Sequence, residues 1–165
     1  MRRRPRDVYD AQFANRLMAA PYLPLPGCRV ALGFTGTYDA DEFKRIVAGY
    51  KSADMDQKWD IVFDSPWLAF HRSWTGIANY GVRFESGGEQ AVVTDSWINS
   101  ECFACDEEAL RYHRRLLGFL IDVFLLRKPS EFPFPPGLEL KGLQVPAYVH
   151  MVQGYPPDDS NAVDD

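Results

Sequence analysis

Between Phe70 and Gly76 the chain reads FHRSWTG, which sets an imidazole, a guanidinium and two hydroxyls within five consecutive positions. A guanidinium presents a planar fork that matches two phosphate oxygens, hydroxyls donate hydrogen bonds, and an indole offers a face on which a ring can stack. Arg72, Ser73, Thr75 and Asn79 therefore read as a binding set for a small anionic ligand of the nucleotide or ADP-ribose kind, with Trp67 or Trp74 stacking on its ring. In the form of this reading that includes hydrolytic chemistry, His71 is the catalytic candidate, because a reference pKa of ~6.5 lets imidazole act as acid or base near neutral pH. The same residues also have a purely structural reading. Ser73 and Thr75 would then cap the turn backbone, Arg72 would be held by a carboxylate such as Asp56 or Asp95, and His71 would be a half-buried histidine bonded to Asn79.

Other candidate chemistry is thinner. Cys102 and Cys105 form a single C-x-x-C before a helix start, a placement that favours a lowered thiol pKa at Cys105, and Cys28 with His113 would complete a zinc set. No second pair stands at ligand spacing, so the thiols read as incidental and no metal is assigned. GFTGTY at 33–38 has two glycines leading into a helix, which would suit an anion at the helix N-terminus. The P-loop, nucleophile-elbow and zincin patterns are missing. The sequence specifies no cofactor.

These residues are positioned by elements that follow from periodicity. From Trp59 apolar residues alternate, and three hairpin signals follow: DSPW, WTG and SGGE. They divide the stretch 59–99 into a four-stranded antiparallel meander. Trp74-Thr75-Gly76 fits a three-residue loop with Gly76 in the left-handed region, which places Leu68 opposite Val82, Phe70 opposite Tyr80 and His71 opposite Asn79. Parity then puts Phe70, Tyr80, Trp59, Ile61 and Phe63 on the core face. Ala69, His71, Ser73, Asn79 and Gly81 form a shallow polar floor on the other, with Trp67 paired to Arg83 at one end. Arg72 falls beside Trp59, within reach of its ring.

Asp39 and Glu42 form a capping-box start for one amphipathic helix. A second helix begins at Cys105 or Asp106 and carries Leu110, Leu117, Leu120, Ile121 and Phe124 as an apolar stripe, with His113 at its edge. The proline-punctuated stretch after Lys128 reads as extended, with one short edge strand around Ala147–Val152. The fold class is α+β: a single domain in which a four-stranded antiparallel meander is covered by helices.

Length and a 46% hydrophobic composition suit one core, here residues 21–155, preceded by a basic arm with a short helix over 1–20 and followed by an acidic, disordered tail over 156–165. The arm's four arginines offset the tail's four aspartates, so the body keeps the chain's net charge of −5, which disfavours nucleic acid as a partner. The start lacks an apolar signal region, and the longest apolar run, at 116–126, contains Asp122 and is short of a membrane span. A cytoplasmic setting without membrane is expected.

The series MDQKWDIVFDSPWLAFHRSWTG, with FLIDVFLL and FPFP further on, resembles a family of small uncharacterised bacterial proteins carrying a Lys-Trp strand and an HRSWTG hairpin. The resemblance covers about residues 36–135. It implies a bacterial or phage cytosolic origin and one α+β domain, and it carries over no catalytic residues. Two functions from different classes follow from the residues themselves: binding of a small anionic ligand at the polar face and hairpin end, or a protein-interaction module of the antitoxin or immunity type that uses exposed tryptophans and an acidic body.

Overall fold

The computed structural model describes residues 25–54 and 56–154. The arm, its short helix and the acidic tail lie outside the described residues.

The meander forms as the alternation dictates. β3 (Trp59–Asp64), β4 (Trp67–Arg72), β5 (Ala78–Gly87) and β6 (Gln90–Asn99) pair in sequence order, all antiparallel. The register places Ile61 against Phe70, Leu68 against Val82 and Phe70 against Tyr80. Those four central residues, Leu68, Phe70, Tyr80 and Val82, have no exposed surface, as a core face requires.

Among the described residues, however, the sheet has six strands rather than four. β1 (Arg29–Ala31) and β2 (Thr37–Asp39) both pair antiparallel with β6, at its end and at its beginning. Each is three residues long, too short for an alternation to register in the sequence. Together they run along one edge of β6, joined to it between the ladders by Leu32 N–H to Ser96 O at 3.0 Å and Val93 N–H to Gly36 O at 3.0 Å.

β2 leads directly into α1 (Ala40–Ala48), whose N-cap Asp39 accepts from Glu42 N–H while the Glu42 carboxylate accepts from Asp39 N–H. That capping box overturns the anion cradle expected at GFTGTY. Its last residues are strand rather than loop, and two carboxylates already occupy the helix N-terminus.

α2 (Glu107–Leu120) is capped by Asp106, which accepts from Ala109 N–H at 2.9 Å, and runs on through a wider π-helical turn over Ile121–Leu125. Its apolar stripe lies on the sheet with α1: Leu117, Leu120, Ile121 and Phe124 pack with Ile46, Trp59 and Ile61 in one cluster.

The largest departure is at the C-terminal end. The stretch expected as an edge strand is the helix α3 (Gln144–Gln153). Pro146 lies in its first turn, where the missing N–H costs nothing because those donors have no partner in the helix anyway. None of its residues is buried.

Candidate functional site

The hairpin end is knit into the scaffold. The β4–β5 loop closes with Gly76 N–H donating to Arg72 O at 2.8 Å and Arg72 N–H to Ile77 O at 2.9 Å, and Gly76 takes φ 71°, as the loop chemistry demands. Ser73 Oγ donates to Gln57 O at 2.6 Å, and Thr75 Oγ1 accepts from Ile77 N–H at 3.2 Å. His71 Nδ1 donates to the Gly76 carbonyl at 3.1 Å. Burial lowers the His71 pKa, with that carbonyl and Asp60 opposing.

The polar face is not an open floor. Ala69, His71 and Asn79 are buried, and Trp97, with Leu25, Ala78 and Trp67, forms a second apolar cluster. Trp97 pairs across from Gly81, and a Cβ on Gly81 would stand 2.2 Å from the indole, so the ring lies directly over that glycine. Trp67 is thus a packing residue. Trp74 is 63% exposed, with the Lys58 ammonium 4.4 Å from its ring centre.

His71 faces Ala78, not Asn79. The register shifts between Phe70 and His71, which leaves Asn79 as the extra residue of a β-bulge. A bulge re-aims the side chain it inserts, and Asn79 joins Tyr80 in lining a cavity on the core side.

Arg72 stacks on Trp59 as the parity suggested, 4.7 Å from the ring centre. Its partners are not Asp56 or Asp95. Nη1 donates to Val152 O and Nη2 to Met151 O, both at 2.9 Å, and Trp59 Nε1 donates to the same Val152 carbonyl at 2.9 Å. Arginine and indole together hold the C-terminal end of α3, where a cation also complements the helix dipole.

The cavity behind this latch has a volume of about 540 Å³, within the range of small-molecule sites. The sheet contributes Trp59, Asn79 and Tyr80, and α3 contributes Tyr148 and Met151 as the facing wall. α2 lends Asp106, Ala109, Tyr112, His113 and Leu116, whose three- and four-residue spacing puts them on one helix face. Trp59, Tyr80 and Phe103 lie close to parallel, with 28° and 7° between successive planes.

Inside it, Tyr80 Oη and His113 Nδ1 stand 2.6 Å apart. Burial pushes the Tyr80 pKa well up and the His113 pKa down to about 4, so both are neutral at pH 7. We assign the Tyr80 O–H as donor, which leaves the proton of His113 on Nε2. The Tyr112 hydroxyl is buried without a hydrogen bond of ordinary geometry, and burial and the neighbouring Tyr148 hydroxyl raise its pKa.

Comparison with protein-family models, curated proteins and solved structures finds no match. Of the seven residues singled out at the hairpin, only Arg72 and Asn79 line this cavity. The sequence offered one signal for the rest: Tyr112 and His113, polar rings on an otherwise apolar helix stripe. The thiols carry no comparable arrangement. Cys28 and Cys102 are exposed, and burial and Glu101 raise the Cys102 pKa. Among the described residues no three His, Cys, Asp or Glu side chains converge as metal ligands.

Proposed function

We propose that this domain binds a small molecule with a flat, largely apolar body in the cavity between the core face of the sheet, the first half of α2 and α3. The observation that carries the reading is an aromatic-walled space of about 540 Å³ that the neutral His113 ring lines beside Tyr80. With a pKa of about 4, His113 is a weak base at neutral pH, so the set suits recognition better than proton transfer.

A nucleotide-like anion gripped at the hairpin end has less support, because both terminal nitrogens of Arg72 are already given to α3 carbonyls. The contact-module reading draws on Trp74 and Met151, which are 63% and 57% exposed and line one groove. The test is a thermal-shift screen of nucleosides, nucleotides, aromatic amines and aromatic acids on the wild-type chain and on Ala109→Trp, which fills the cavity from α2. Ligands at ~100 times their dissociation constant add about 2.7 kcal/mol of stability. The expected result is stabilisation of the wild type alone; equal stabilisation of both proteins, or of neither, rejects the cavity as the site.

A further inference from the structure

Resting on that cavity reading, we infer that its ligand is an organic cation: an ammonium group held at the mouth by Asp106 and Glu108, with its aromatic or apolar body lying among the rings behind. Three observations converge. The first is the inventory of charge. Asp106 and Glu108 line the cavity, and both are exposed where α2 begins. Among the described residues Arg72 is the one cation lining it, and its charge is committed, stacked on Trp59 and bonded to the Met151 and Val152 carbonyls. Those carbonyls are themselves the negative end of the α3 dipole. His113, the other basic group, is neutral at pH 7 because charging it in its buried position is costly. Among the described residues, an entering anion would meet two carboxylates and no uncommitted cationic side chain.

The second observation is the wall. Phe103, Tyr112 and Tyr148 are partly exposed rings lining the same space, and aromatic faces carry the negative quadrupole that attracts alkylammonium groups. The third is spacing. Along α2, Glu108 and His113 are separated by about 7.5 Å of helix rise. A cation at the mouth can therefore share its molecule with an acceptor oxygen at the inner end, where His113, with Nδ1 bonded to Tyr80 and its proton on Nε2, lines the cavity.

The ligand class is accordingly an arylalkylamine with an oxygen on the ring. A matched probe set isolates the charge: tyramine, tyrosol and 4-hydroxyphenylacetate share the phenol and differ only in a cationic, neutral or anionic end. Calorimetric titration of the full chain at pH 7 should give tyramine about tenfold tighter binding than tyrosol, as a cation–π contact plus nearby carboxylates implies, with 4-hydroxyphenylacetate weakest. Raising the salt concentration should narrow the gap. Asp106→Asn with Glu108→Gln removes both charges while keeping a good helix cap, and should bring tyramine down to the level of tyrosol. Equal binding of the three probes, tighter binding of the anion, or an amine preference that survives the double substitution overturns the cation assignment while leaving the cavity reading intact. Binding of none of them to the wild type, or binding undiminished in Ala109→Trp and in Met151→Trp from the opposite wall, overturns both.

Discussion

Arg72→Lys separates a latch from a ligand grip. In the wild type the guanidinium reaches two successive carbonyls of the α3 C-terminus at 2.9 Å each and covers the Trp59 ring. Lysine keeps the charge, and so keeps the dipole contribution of about 0.3–1 kcal/mol, but it is a point donor without a planar face. Its three donors diverge from a single atom, so it cannot reproduce the planar fork that reaches both carbonyls, and it loses most of the stack. A hydrogen bond from a charged donor is worth about 1.5–3 kcal/mol and a partly exposed cation–π contact about 0.5–1 kcal/mol, which together set the loss at about 2–4 kcal/mol. None of α3 is buried, so this loss falls on the local docking of the helix before it reaches the sheet. Hydrogen exchange read by mass spectrometry should therefore show residues 144–153 losing about 30-fold or more in protection, since each ~1.4 kcal/mol is a factor of ten, while β5 is unchanged. Unaltered protection in α3, or an equal loss in α3 and β5, would refute the latch.

Three further outcomes follow from the same packing. His113 has its folded pKa depressed to about 4 against an unfolded ~6.5, so the unfolded chain binds more protons between those values; its contribution is complete above pH ~6.5 and is lost as pH falls toward 4. Urea titrations should show about 1–3 kcal/mol of such slope, discounted for the ring edge that faces the cavity, and His113→Phe should lack it; parallel profiles would be decisive against it. Gly81→Ala drives a methyl to within 2.2 Å of the Trp97 indole and should cost about 2–4 kcal/mol, part of which Trp97→Leu restores in a double-mutant cycle; strict additivity would contradict the packing. Gly76→Val places a β-branched residue at φ 71° and should lower stability by about 1–3 kcal/mol, a change that an unshifted melting temperature would disprove.

The sequence by itself determined whatever is settled within a few residues. Alternation at Trp59, Ile61 and Phe63 fixed the core face, Gly76 fixed the hairpin loop, Asp39 with Glu42 fixed the start of α1, and cross-strand parity put Arg72 on Trp59. Each depends on a side-chain period or a cap that neighbouring residues impose whatever the rest of the chain does. The tertiary structure decided the remainder. The strands β1 and β2 exist because β6 offers an edge, and α3 takes helical form despite its β-branched and aromatic residues, docked through the two carbonyls Arg72 holds. The bulge that turns Asn79 toward the cavity depends on how β4 and β5 meet, and Trp97 closes what alternation alone presents as an open polar face. The cavity is the extreme case, since its walls come from residues between Trp59 and Val152. It is a gap left between packed elements, and a gap between distant segments has no local pattern by which a sequence can announce it.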